Sequence, residues 1–238
     1  MATLLARALE HRYPHQPAPG LAGVDLDIAE GETVCVVGPL GSGKTTLLRI
    51  LSGAEPRHNG RVLIDGEDVT GLDAEHRGVN RVFDRHRLYP HMTLAENLSF
   101  PLLLYGVGRE RARERVLAAT TRLGIVEHLD QRASGLGPEL LPHVSAARAL
   151  VARPRILIAD DPLRNLAPDE RSRTAKTLAL ILRRMGLTTV YATTDAEEAL
   201  VLGGRIVHLD SGRIVSGHDT AVLPATAGTR LAENRQRR

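Results

Sequence analysis

The chain has 238 residues, and 31 lysines and arginines against 28 aspartates and glutamates give a formal net charge of +3, which excludes a strongly polycationic or polyanionic protein. Hydrophobic residues make up 42% and charged residues 25%, a balance typical of a globular domain that excludes a disordered chain. Aromatic residues are only 3%, which argues against a nucleic-acid partner bound by base stacking, and no apolar run reaches the roughly 18 residues of a membrane span.

The first part of the chain predicts strands, a glycine-rich loop and a helix. Residues 21–37 alternate between apolar and polar, turn, and then continue as an apolar run, as expected for a half-buried strand followed by a fully buried one. Cys35 lies in that run and is interpreted as a core residue rather than a reactive thiol. Helical spacing of leucine and isoleucine predicts a helix from Thr45 to about Gly53, before a short strand pair around 61–65.

The second part of the chain alternates between helix and strand patterns, which predicts an α/β fold with a mostly parallel sheet. The predicted elements are helix 109–129, strand 156–159, helix 171–185, strand 188–193, helix 197–202 and strand 205–209. The first helix is rich in Arg and Glu, so we expect a helical insertion with a solvated face at about 85–150. One domain is expected over 1–225, with a basic tail over 226–238 that favours disorder over a nucleic-acid arm.

The glycine-rich loop carries the chain's most informative motif. Only two of the chain's 31 lysine and arginine residues are lysines. One of them, Lys44, lies at the end of this loop. The motif G-x-x-x-x-G-K-[ST] is matched between a predicted strand and a predicted helix, by Gly38, Pro39, Leu40, Gly41, Ser42, Gly43, Lys44 and Thr45, with Thr46 following. Backbone N–H groups of such a loop surround phosphates, the lysine reaches the β and γ phosphates, and the threonine binds Mg²⁺. The sequence therefore predicts a site for Mg-ATP or a similar nucleotide.

A second anchor for Mg²⁺ is predicted at Asp160. This residue ends the apolar run 156–159, and an acid at the end of a buried strand is the usual partner of a phosphate-binding loop. Many buried strands end in Asp, so the pattern is informative only because the glycine-rich motif precedes it.

These residues and several further segments resemble the ATP-binding subunits of ABC transporters, most closely those of maltose-type carbohydrate importers. The further segments are Glu75 to Val79, Leu88 to Asn97, Ala147 to Leu150 and Asp160 to Leu163, and the likeness extends over about 21–217. The resemblance implies a P-loop NTPase core with an N-terminal antiparallel β subdomain and a helical insertion subdomain.

The same resemblance implies a setting for the protein. It implies integral membrane permease subunits as partners, docked through the helical insertion, and pairing as a homodimer or as a heterodimer with another ATP-binding subunit. It implies a cytoplasmic location, peripheral at the inner face of the cell membrane. Tyr13 corresponds to the family's aromatic residue that stacks on adenine.

The chain departs from the family at the positions that carry hydrolysis. The glutamine that senses Mg²⁺ is replaced by Asp84, the catalytic glutamate by Asp161 and the switch histidine by Thr194. The signature Leu-Ser-Gly-Gly-Gln is replaced by Leu136 to Leu140, in which Pro138 has no N–H and an acid follows it. The family's β-rich regulatory domain is not expected after this chain's last elements, which leaves sugar specificity open.

These replacements leave several functions open. The first is an ATP-binding subunit that drives or gates a membrane importer, with hydrolysis slowed by orders of magnitude or retained weakly through Asp161 and Asp84. The second is a regulator or scaffold that binds nucleotide without hydrolysing it. A third, a P-loop kinase, does not explain the importer-like segment Leu88 to Asn97.

Overall fold

A computed structural model describes residues 2–14, 18–82 and 88–219. The strands are β1 (Leu4–His11), β2 (Leu21–Ile28), β3 (Thr33–Val37), β4 (Asn59–Ile64), β5 (Glu67–Asp68), β6 (Val79–Arg81), β7 (Ile156–Asp160), β8 (Thr188–Thr193), β9 (Arg205–Asp210) and β10 (Arg213–Asp219). The α-helices are α1 (Lys44–Ser52), α2 (Leu94–Leu104), α3 (Arg109–Leu123), α4 (Leu141–Val151), α5 (Pro168–Met185) and α6 (Ala196–Leu202).

The larger sheet confirms the predicted parallel α/β core. Its order is β10-β9-β3-β8-β7-β6, and every pair is parallel except the antiparallel pair β9 and β10. Val37 pairs with Thr193 and Asp160 pairs with Ala192, so β3, β7 and β8 end at the same edge. The segments that follow these strands therefore meet there.

A second sheet is antiparallel, with order β2-β1-β4-β5, as expected for the N-terminal β subdomain. The sequence analysis did not identify β1, because its inward residues do not alternate strictly. The pairing of β1 with β2 shifts register between Ala6 and Leu9, and Ala8 between them has φ +48°. This bulge places both Ala6 and Leu9 in the core although they are three positions apart.

The larger sheet is covered on both faces, which explains its continuous apolar strands. Val34 and Val36 of β3 face the core shared with α1 and the antiparallel sheet. Cys35 and Val37 face the other core, built with α2 to α6. Cys35 is fully buried, and burial raises the pKa of its thiol to about 12, as expected for a core residue.

One helix ends well before its predicted boundary. The expected helix over 109–129 is α3, which ends at Leu123; the prediction was wrong at this end because Gly124 has φ +69° and closes the helix in the left-handed conformation. The next helical turn is a separate 3₁₀ turn at 126–128. Across residues 2–14, 18–82 and 88–219, no helix has the length and apolarity needed to span a membrane.

Arg77 fastens the carboxyl end of α1 to the following loop. Its side chain is fully buried, and its guanidinium donates to the carbonyls of Ile50 at 2.6 Å, Thr70 at 2.7 Å, Leu72 at 2.8 Å and Leu51 at 3.4 Å. Burial lowers the pKa of this guanidinium, because the charged form loses hydration. A single cation therefore donates to two carbonyls in the last turn of the helix that follows the glycine-rich loop.

Replacing Arg77 by methionine is expected to lower the free energy of unfolding by about 2–3 kcal/mol, because several buried carbonyls lose their donor. Urea unfolding followed by circular dichroism measures this change. Arg57→Met, at an exposed loop position, is the control and should stay within about 0.5 kcal/mol of the unsubstituted chain. Equal effects of the two substitutions would contradict the bracing role.

Candidate nucleotide-binding site

The loop from Gly38 to Gly43 connects β3 to α1 in a conformation that requires glycine. Gly41 has φ +79° and Gly43 has φ +104°. A Cβ atom on Gly43 would lie 2.3 Å from the carbonyl oxygen of Gly20, and one on Gly38 would lie 2.1 Å from that of Leu209. The glycines therefore allow the tight loop and its close approach to the neighbouring backbone.

Lys44 begins α1, and its ammonium group lies inside the loop. The residue is 6% exposed, and its Nζ donates to the carbonyls of Gly38 at 2.7 Å and Pro39 at 2.8 Å and to Ser42 Oγ at 3.4 Å. Burial lowers the pKa of Lys44, while the negative charges of Asp161 and Asp160 oppose that shift. The loop thus holds a desolvated cation at a helix N-terminus, where an anion is also favoured.

Thr45 and Asp160 lie together in the structure, although they are far apart in sequence. Thr45 Oγ1 donates to Asp160 Oδ1 at 3.2 Å, which joins the start of α1 to the end of β7. The other carboxylate oxygen, Asp160 Oδ2, lies 3.6 Å from a guanidinium nitrogen of Arg81, at the end of β6. Hydroxyl and carboxylate oxygens are suitable ligands for Mg²⁺, which is usually bound by one or two carboxylates together with phosphate oxygens.

Asp161 and Thr194 also lie together at this edge. Thr194 Oγ1 donates to Asp161 Oδ2 at 3.4 Å, and the backbone N–H of Asp161 donates to the carbonyl of Ala192 at 2.8 Å. Asp161 has φ +46°, a left-handed conformation that is uncommon outside glycine. A strained backbone therefore holds the carboxylate beside the threonine.

The turn after β8 is braced by a residue that the sequence analysis did not single out. Asp195 caps α6, accepting from the backbone N–H groups of Glu197 at 2.9 Å and Glu198 at 3.2 Å, and it pairs with Arg171 at 3.0 Å. Burial acts to raise the pKa of Asp195, but these donors together hold it below its usual range. An Asp before a helical run followed by acids is an N-cap signal that could have identified it.

Tyr13 lies beside the helix that begins at Lys44. Thr46 Oγ1 donates to the Tyr13 hydroxyl at 3.4 Å, and the Tyr13 ring meets the ring of His11 edge-on with 4.3 Å between centroids. The predicted aromatic residue is therefore next to the first turn of α1.

In the segment Leu136 to Leu140, the carboxylate of Glu139 lies against the backbone of Gly137. Pro138 to Leu140 form a 3₁₀ turn directly before α4. A Cβ atom on Gly137 would lie 2.1 Å from Glu139 Oε1, so the Glu139 side chain occupies the space above Gly137. An anion there opposes the approach of phosphate.

The structure therefore brings most of the predicted site residues to one edge of the sheet. Asp84 is the exception, since it lies outside the described residues, as does the tail over 226–238. Among residues 2–14, 18–82 and 88–219, no group of three or more His, Cys, Asp and Glu side chains forms a metal cluster.

Comparisons with known proteins indicate the family to which the chain belongs. A family model described as ABC transporter matches residues 21–164, more than half of the chain. The diacetylchitobiose uptake system ATP-binding protein MsiK of Streptomyces coelicolor is 38% identical over 89% of the chain and 56% of its own length. The sn-glycerol-3-phosphate import ATP-binding protein UgpC of Chromohalobacter salexigens is 35% identical over 97% of the chain and 62% of its own length.

Other relatives differ in cargo. The spermidine/putrescine import ATP-binding protein PotA of Mannheimia succiniciproducens is 39% identical over 80% of the chain and 51% of its own length. The chain thus spans between half and two thirds of the length of these relatives.

Solved structures share the fold. The cbiO1 protein of Clostridium perfringens, part of the ABC transporter complex cbiONQ, superposes with a TM-score of 0.80 at 23% identity over 98% of the chain and 94% of its own length. A dimeric ATP-binding cassette in a post-hydrolysis state, bound to ADP and Pi, superposes with a TM-score of 0.69 at 27% identity over 92% of the chain and 100% of its own length. The chain is therefore a member of the ABC transporter family, and specifically one of its ATP-binding domains.

Proposed function

We propose that this chain is the ATP-binding subunit of a membrane importer of the carbohydrate class, and that it binds Mg-ATP at the loop from Gly38 to Gly43. Members of its family bind ATP. The observation that carries the proposal is the convergence of Lys44, Thr45 and Asp160 at one edge of the sheet. Two similar proteins are named for the uptake of diacetylchitobiose and of glycerol phosphate, which supports a small polar cargo.

Each part of the site has a definite role in this proposal. The loop backbone and the N-terminus of α1 surround the phosphates, and Lys44 exchanges its carbonyl partners for phosphate oxygens. Thr45 and Asp160 would hold Mg²⁺, which neutralises phosphate charge when bound. Tyr13 would stack on the adenine.

Hydrolysis is proposed to be weak. Thr194 has no group that titrates near neutral pH, so it cannot exchange a proton as an imidazole does. Asp161 is one methylene shorter than glutamate and accepts a hydrogen bond from Thr194. Glu139 lies over the backbone of the segment that replaces the family signature. These three features equally favour the second candidate, a nucleotide-binding regulator that does not turn over.

The proposed partner is an integral membrane permease. An apolar groove of about 870 Å³ lies between β6, α2, α4 and α5, with Leu98 and Leu141 among its lining residues. We assign this groove, which lies where the helical subdomain proposed over about 85–150 meets β6 and α5, to a cytoplasmic segment of the permease. The chain would then act as one half of a homodimer or heterodimer of ATP-binding subunits, peripheral at the inner membrane face, within a single domain over 1–225.

Capture of the permease tests this assignment. The affinity-tagged chain, expressed in its own host and extracted in mild detergent, is expected to retain a polytopic membrane protein. Leu141→Asp should reduce the retained amount by about tenfold, because it places a charge in an apolar contact. Leu180→Asp is the matched control, since Leu180 is 58% exposed, against 48% for Leu141, and does not line the groove.

Quantitative mass spectrometry of the retained fraction reads the result. If Leu141→Asp and Leu180→Asp retain equal amounts, the groove is not the docking site. If no membrane protein is retained by the unsubstituted chain, while ATP still binds, the regulator replaces the importer subunit as the proposed function.

A further inference from the structure

Both carboxylate oxygens of Asp160 have partners within the protein. Oδ1 accepts from the hydroxyl of Thr45 at 3.2 Å, and Oδ2 faces the guanidinium of Arg81 at 3.6 Å. The residue proposed to anchor a divalent cation is therefore already beside a cation that belongs to the fold.

The backbone fixes the position of Arg81. It is the last residue of β6, where it pairs with Ile158 of β7, and the next residue, Val82, donates its N–H to the Ile158 carbonyl at 2.8 Å. The Asp160 side chain is only 17% exposed, against 42% for Arg81. The positive charge of Arg81 therefore lies beside the oxygen of a largely buried carboxylate that Thr45 does not contact.

The negative charges near the phosphate loop explain why the ion pair of Arg81 and Asp160 matters for nucleotide binding. The carboxylates of Asp160 and Asp161 both act on the ammonium of Lys44, so two negative charges border the phosphate loop. In an ordinary site a divalent cation compensates such charge. Arginine remains charged at every physiological pH, and it pairs with carboxylates without needing a metal.

We propose that Arg81 is a built-in cation of the nucleotide site, which neutralises Asp160 and makes ATP binding largely independent of divalent metal. This inference rests on the proposed nucleotide site and deepens it. Arg81 keeps a positive charge near the phosphates when Mg²⁺ is absent, and it competes with Mg²⁺ for Asp160 Oδ2 when the metal is present. Arg81 is thus a residue that determines the metal requirement for binding.

The test compares ATP binding in excess MgCl₂ with ATP binding in EDTA, using a fluorescent ATP analogue and the full chain. The unsubstituted chain should show dissociation constants that differ by less than about threefold between the two conditions. Arg81→Met should raise this ratio to roughly tenfold, a change within the range of a partly exposed ion pair. Arg81→Lys retains the charge and should keep the ratio low.

Arg61→Met, an exposed strand substitution away from the loop, is the control and should leave the ratio unchanged. Thermal melting establishes that the Arg81 variants are folded. A ratio of roughly tenfold in the unsubstituted chain, or one that Arg81→Met does not change, would overturn this inference while leaving the nucleotide site intact. Absence of ATP binding in every variant and both conditions would overturn the nucleotide site, and this inference with it.

Discussion

Replacing Lys44 by alanine is expected to weaken ATP binding by at least about 100-fold. A buried ammonium that exchanges backbone carbonyls for phosphate oxygens contributes roughly 3 kcal/mol, and each 1.4 kcal/mol is tenfold in affinity. Lys44 is only 6% exposed, so little water can reach the phosphates to replace the ammonium group when the side chain is removed. Titration of the purified chain with ATP by calorimetry measures the effect directly.

The chain provides its own control for this substitution. Its other lysine, Lys176, lies exposed on α5 and away from the loop. Lys176→Ala removes the same charge and the same side chain, so it should change ATP affinity by less than about twofold. Equal losses in the two variants would show that net charge, rather than the loop lysine, governs binding.

Rebuilding the family's catalytic positions is expected to raise ATP hydrolysis by about 100-fold or more. The combined variant carries Asp161→Glu and Thr194→His together with Gly137→Ser, Pro138→Gly and Glu139→Gly. A positioned general base is typically worth 10² to 10⁴ in rate, and a transition-state donor about 10² to 10³. The gains do not multiply, since residues that act together lose and recover activity as a unit.

Phosphate release under saturating ATP measures this gain. Asp169→Glu combined with Thr121→His makes the first two chemical changes at exposed positions on α5 and α3, and it should leave the rate unchanged. If the rebuilt variant binds ATP normally but hydrolyses no faster than the unsubstituted chain, our assignment of Asp161, Thr194 and the segment 136–140 is wrong.

The parts of the fold that could be predicted from sequence are those with an unbroken local pattern. The strand over 188–193 was predicted with its observed bounds, because all of its residues are buried between two covered faces. The loop between β3 and α1 was predicted because its glycines have few structural alternatives. The pattern does not predict β1, because the bulge at Ala8 breaks its alternation. The apolar spacing continues past Leu123 and so predicts too long a helix, whereas Gly124 ends α3 in the left-handed conformation.

The contacts of the site also divide into those that a sequence pattern can predict and those that it cannot. The meeting of Thr45 and Asp160 follows from parallel strands whose carboxyl ends share an edge, a rule that sequence can supply. The pairing of Arg81 with Asp160 depends on side-chain direction at the end of β6, which no periodicity encodes. Arg77 likewise lies in a segment that suggested family membership, but its buried contacts to α1 become visible only in three dimensions.

The most direct test of this account measures ATP binding and phosphate release on one preparation of the unsubstituted chain. We expect saturable binding that Lys44→Ala removes, together with phosphate release at least about 100-fold slower than that of the rebuilt variant. Phosphate release equal to that of the rebuilt variant would contradict the proposed loss of hydrolysis. Absence of ATP binding would contradict the nucleotide site itself.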